Sequence, residues 1–172
     1  VFFVDTTFLL ELDKRSTVSV RCRADLDRIA RQLRELVQRG HAVYPHIHPH
    51  WADARYDAAA HEWDLKELRL YRFSALDEAA RDRVFSGSIE ILRRIIAPVD
   101  PHYRIRAYRA GGWCIQPFED FAPHFARHLV ERDMSVLGGM KRHSNAVDYD
   151  FTAPLPGPVY RFSRDVMRPD PE

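Results

Sequence analysis

The sequence predicts an α/β domain built from parallel βαβ units. Three observations carry that reading. Short apolar runs with strand character alternate along the chain with longer stretches of helical period. Turn-forming glycines and prolines separate most of them. Two of the predicted strands run directly into segments dense in reactive side chains, and in parallel sheets and barrels ligands gather at the carboxyl ends of the strands.

Taken in order, residues 1–4 form an apolar run that stops at Asp5 and reads as a buried strand, while residues 16–22 alternate too weakly to assign. Residues 25–39 carry the clearest helical signal: Leu26, Ile29, Leu33, Leu36 and Val37 fall on one face, charges cover the other, and Gly40 supplies the stop. Residues 41–46 read as a second strand. Residues 51–71 show no sustained period, and an irregular connection of that length in a compact domain is often functional. Ser74 and Asp77 resemble a capping box, with Asp where Glu or Gln is preferred. Behind them Phe85, Ile89, Leu92 and Ile96 recur at helical spacing up to Pro98. Residues 103–108 alternate as a strand closed by Gly111 and Gly112. Pro117 opens a helix with Phe118, Phe121, Phe125 and Leu129 on one face, a stripe that reads as core. Residues 134–137 form a short strand broken by Gly138 and Gly139, residues 146–158 are irregular, and residues 159–162 read as a last strand.

Composition sets the outer limits. A length of 172 residues implies a single domain, 1–172, able to bury roughly 70% of its unfolded surface. Lysine and arginine total 26 against 25 acidic residues, so net charge offers no whole-protein argument for nucleic acid or an anionic membrane, although His41 and the arginines around 104–109 make a small basic patch. No apolar run approaches the ~18 residues of a membrane helix. No signal peptide is visible, which favours the cytoplasm slightly, although the chain opens with Val1 inside a strand. Cys22 and Cys114 form no CxxC pair and read as ordinary buried or half-buried residues; oligomeric state is not legible.

Two segments carry chemistry. The first is His46-Ile47-His48-Pro49-His50-Trp51, with three histidines in five residues after a strand. In extended backbone His46, His48 and His50 point to one side; in a helix His46 and His50 become i, i+4 neighbours. Either geometry lets two neutral imidazoles reach one cation, zinc first among the divalent metals, and a catalytic site would add a third ligand and an open position. Against this stands the ordinary use of histidine in packing and hydrogen bonding. The second segment is Tyr108-Arg109-Ala110-Gly111-Gly112-Trp113. An arginine at a strand end can grip a carboxylate in a bidentate fork, and the glycines allow a backbone to approach a substrate; the same pair could simply make a tight turn.

Residues 40–50, with His46-Ile47-His48-Pro49-His50, resemble the second motif of the NodB-type polysaccharide deacetylase family, and Tyr108-Arg109-Ala110-Gly111-Gly112-Trp113 is similar to its third. The resemblance spans nearly the whole chain and points to a divergent branch. It implies a distorted (β/α) barrel with parallel strands, truncated at both ends in this chain, and hydrolysis of acetamide-type C–N bonds on an N-acetylated carbohydrate or a small amide. It implies that His46 and His50 bind the metal and that Arg109 orients a catalytic aspartate. The family's first motif is expected before Val1 and its last, with a histidine acid, beyond Glu172. The usual proline-rich form of the arginine motif is replaced by Ala110-Gly111-Gly112. Asp5 is the in-chain carboxylate that can serve as third ligand, and Asp133 matches the aspartate that precedes the family's next strand. His48, Trp51, Gly111, Gly112 and Trp113 are candidate substrate contacts, the tryptophans as a stacking wall for a sugar ring. Other readings of the same residues are a non-catalytic carbohydrate-binding or scaffold relative and a metal-dependent hydrolase of small molecules.

Overall fold

The structure is a computed structural model that describes residues 1–66 and 70–171. Its centre is a four-stranded parallel sheet formed by β1 (Phe2–Asp5), β2 (Val43–Ile47), β5 (Ala107–Ala110) and β6 (Arg132–Asp133), in the order β1-β2-β5-β6. Four α-helices accompany it: α1 (Thr6–Arg15), α2 (Val20–Gln38), α3 (Glu78–Ile96) and α4 (Ala122–His128). Two antiparallel hairpins, β3 (Arg55–Asp57) with β4 (Glu62–Asp64) and β7 (Lys141–His143) with β8 (Asp148–Asp150), lie outside it. The mixed α/β class and its parallel sheet agree with the sequence reading. No described helix is long and apolar enough to cross a membrane. Cys22 and Cys114 are both free and buried.

The helices form where local signals and burial agree. In α3, Phe85, Ile89, Leu92 and Ile96 are all fully buried, as their spacing predicts. Asp77 is itself the N-cap, accepting from the Ala80 N–H, whereas Ser74 belongs to the preceding turn at Phe73–Ala75. On α2 the face of Leu26, Ile29, Leu33, Leu36 and Val37 packs into the core. That helix begins five residues before the predicted start, because Ser19 caps it by accepting from the Cys22 N–H. It ends at Gly40, whose φ of 80° lets Gly40 and His41 donate back to the Val37 and Leu36 carbonyls. The sequence reading has no element over 6–15, where Thr6, Thr7 and Phe8 are poor helix formers. Helix α1 forms there because Asp5 accepts from the Thr7 and Phe8 N–H groups and because Leu9 and Leu12 are buried.

Several boundaries differ from the predicted ones. The strand expected at 103–108 lies at Ala107–Ala110, since the Tyr103 hydroxyl is taken up by the backbone N–H and carbonyl of Val43. The strand expected at 134–137 is confined to Arg132–Asp133: the Asp133 carboxylate accepts from the N–H and hydroxyl of Ser135 and curls the chain away, leaving Met134 and Leu137 exposed. Residues 159–162 make no strand; Val159 is exposed, and Phe162 packs edge-on against Phe118. The long connection 51–71 is interrupted by the β3–β4 hairpin, and its residues 67–69 lie outside the described residues. Leu129 does not join Phe118, Phe121 and Phe125 in the core. It is 75% exposed and ends α4 in the left-handed region, φ 58°.

The two faces of the sheet differ. Val43, Pro45, Ile47, Tyr108 and Ala110 are buried, with Tyr108 against Phe85 and Phe125. On the other face Phe3, Tyr44, His46 and Arg109 are only half-buried. Parallel sheets ordinarily have both faces covered; here the open face carries the histidine and the arginine that the sequence singles out.

Phe85→Ala is expected to cost about 3–5 kcal/mol of stability in urea unfolding. Leu129→Gly should leave stability unchanged or raise it by about 1 kcal/mol, because it relieves a left-handed residue and uncovers no core.

Candidate active site

Parallel pairing sets three side chains in one row across the carboxyl end of the sheet. Asp5 is in register with His46, and His46 with Arg109. The Nδ1 of His46 donates to the Arg109 carbonyl at 2.9 Å, so the proton is on Nδ1 and Nε2 carries the free lone pair. The His48 Nε2 is 2.9 Å from that atom. With one of these nitrogens a bare acceptor, His48 is the donor in the pair.

His50, in the turn Pro49–Asp53, is buried, and its Nδ1 has no hydrogen-bond partner among the described residues. Its ring centroid lies 5.4 Å from that of His48. Burial pushes all three imidazoles down: His46 with help from the charge of Arg109, His48 to about 4 with further lowering from His46 and His50, and His50 by burial alone. Near neutral pH all three are therefore uncharged, the form in which imidazole binds a metal.

Asp5 ends β1 and caps α1, and its second oxygen accepts from the Trp51 indole N–H at 2.8 Å. Burial lifts its carboxyl to about 6 despite these hydrogen bonds. Trp51 is therefore held in place by Asp5, inside an aromatic group with Phe8 and Trp63.

Whether the residues fit a divalent metal turns on the histidine nitrogens. Two nitrogens on one tetrahedral zinc, each about 2.0–2.1 Å from it, stand roughly 3.3 Å apart, and the His46 and His48 Nε2 atoms are 2.9 Å apart. The unpartnered Nδ1 of His50 adds a buried polar atom that the fold leaves unsatisfied. Against the fit, no group of three or more His, Cys, Asp or Glu side chains among the described residues is gathered closely enough to hold a metal. Two histidine nitrogens of a type that suits the ion converge, and among the described residues no third donor is gathered with them. The pair shown to converge is His46 with His48.

The glycines hold this geometry by having no side chain. A Cβ on Gly111 would stand 2.4 Å from the Ile47 carbonyl oxygen and 3.1 Å from the His48 ring. One on Gly112, at φ 57°, would meet the Tyr71 ring at 2.6 Å. Tyr71 in turn lies parallel to His50, with centroids 5.1 Å apart, and edge-on to His48 at 5.4 Å. Sequence reading missed Tyr71, which comes at the end of an unperiodic segment with nothing local to distinguish it. Trp113 is exposed and borders the same region through Arg109.

Asp133 is not brought to the histidines. Its register partner is Tyr108, so it lies on the helix-covered face, beside a cavity bordered by Phe125 and Tyr160. Burial raises its carboxyl to about 6, against the hydrogen bonds from Ser135.

No protein-family model, curated protein or solved structure matches this chain.

Gly112→Ala should destabilise the protein by about 2 kcal/mol, and adding Tyr71→Ala should restore part of the loss; a double-mutant cycle by urea unfolding measures the coupling. Asp133 binds its proton more tightly folded than unfolded, so its contribution to stability falls as pH rises from about 4 to about 6. Asp133→Asn removes that fall. The variant's stability relative to the parent should therefore rise with pH over this window, by on the order of 3 kcal/mol.

Proposed function

We propose that this chain is a metal-dependent hydrolase of acetamide-type C–N bonds, acting as a deacetylase on an N-acetylated carbohydrate or a small amide. The observation that carries the reading is the convergence of neutral histidine nitrogens at the carboxyl end of a parallel sheet, with the tautomer of His46 set by the Arg109 carbonyl. The resemblance of the two motifs to NodB-type deacetylases gives that geometry a chemistry. The half-buried open face of the sheet supports a further part of the reading, in which the four strands are a segment of a distorted (β/α) barrel with this face inward.

His46 and His48 would hold the cation, zinc first, through their Nε2 atoms once the His48 proton has moved from Nε2 to Nδ1, with His50 as the third nitrogen. When bound, the ion would acidify a water and polarise the amide carbonyl. Asp5, beside His46 and with its carboxyl near 6, is suited to take a proton from an attacking water close to neutral pH. Tyr71 stacks on His50 and limits the freedom of its ring. Trp51, fixed through Asp5, walls the same end of the sheet. Asp133, on the opposite face, has no part in this reading.

A second reading is favoured by one observation. The His46–His48 hydrogen bond satisfies both nitrogens without a metal, as it would in a non-catalytic relative that keeps the fold for carbohydrate binding or as a scaffold.

Elemental analysis separates the two. The parent protein should carry about one divalent ion per chain, and His46→Ala/His48→Ala and His46→Ala/His50→Ala should each lose it. Stoichiometric metal in both double variants, or none in the parent after reconstitution with zinc, would overturn the hydrolase reading.

A further inference from the structure

We propose that Arg109 and Trp113 together form a recognition site for a carboxylate on the substrate, so that the amides this site accepts carry an acidic group on a ring-sized body. The inference rests on the hydrolase reading for what happens at the histidines, but the recognition site itself is built from different side chains.

Arg109 is half-buried at the end of β5. Its guanidinium carbon lies 6.0 Å from the centre of the Phe3 ring and 5.8 Å from that of Trp113. Among the described residues no carboxylate pairs with it, so no aspartate of the kind the motif resemblance implies is in contact here. Other half-buried arginines have a carboxylate partner, while Arg34 has the Ile95 carbonyl. Arg15 also stacks on an indole, Trp63, at 5.0 Å, yet it is paired with Glu11. Arg72 is paired with Asp148 and Arg81 with Asp120. A partly desolvated cation without a counter-charge is unfavourable, and such a position calls for an anion from elsewhere.

The geometry says which kind of anion. The cation–π contacts use the charge of the guanidinium, whereas its N–H donors project in its own plane as a fork matched to the two oxygens of a carboxylate. Trp113 supplies the second half of the site. It is 37% exposed and has φ 60°, directly after Gly112 at φ 57°. A left-handed conformation is unusual for so bulky a residue, and strain of this kind gathers at ligand sites. Here it presents an indole beside the unpaired guanidinium, where the flat face of a ring can stack.

Position ties this site to the histidines. Arg109 is the register partner of His46, and paired strands lie roughly 5 Å apart. A carboxylate on Arg109 therefore places a ring-sized body beside the strand that carries His46 and His48.

Two ring amides that differ only in charge test this: 4-acetamidobenzoate and its neutral isostere 4-acetamidobenzamide, titrated calorimetrically into metal-free and zinc-treated protein. The parent should prefer the carboxylate by about tenfold in both forms. Arg109→Gln should bring the ratio to about one, and Trp113→Ala should weaken both ligands while leaving the ratio in place. Equal affinity for the two ligands, binding of neither, or a preference that survives Arg109→Gln would overturn the proposal. If zinc fails to bind but the preference holds, the hydrolase reading falls and this one stands. If zinc binds and the preference is absent, the reverse is true.

Discussion

Strand β2 lies between β1 and β5, and its backbone pairing holds the rest of the arrangement in place. Because side chains alternate along a strand, a one-residue slip of Val43–Ile47 would turn His46 under the helices and bring Ile47 out. What prevents the slip is the apolar face: Val43, Pro45 and Ile47 are buried, with the fully buried side chains of α3 in the same core. The core thus determines the register, and the register sets Asp5, His46 and Arg109 side by side. Packing and chemistry are divided between two faces of the same few residues.

Around that row the chain limits motion by crowding. Gly111 and Gly112 let the β5 end approach Ile47, His48 and Tyr71 more closely than any Cβ would permit. Tyr71 fills the space they leave and lies flat on His50, while Trp51 is tied to Asp5 through its indole N–H. The same crowding removes water, which is why the three imidazoles lose their affinity for protons and the Asp5 carboxyl gains it. The site therefore holds neutral nitrogens beside a carboxyl raised to about 6, with Arg109, which no carboxylate among the described residues pairs, on its other flank.

The sequence alone determined the α/β class, the apolar faces of α2 and α3, the stop at Gly40 and the two loaded segments at strand ends. These are features in which local pattern and tertiary environment ask for the same residues, so a period of two or 3.6 can be read directly. It also singled out the histidines, Arg109 and the glycine pair, because unusual density of such residues is visible without a fold. Helix α1 was not legible, since Thr6, Thr7 and Phe8 argue against it locally and only the Asp5 cap and burial of Leu9 and Leu12 outweigh them. The strand at 159–162 and the place of Leu129 in the core are not borne out because Val159 and Leu129 face solvent, while Phe162 packs on Phe118 without pairing in a sheet.

Tertiary structure alone decided which histidine nitrogens meet, that Tyr71 joins them, that Asp5 is in their row and that Asp133 is on the opposite face. None of these follows from spacing along the chain. They are set by which strands pair and in what register, and pairing is selected by burial summed over residues far apart in sequence.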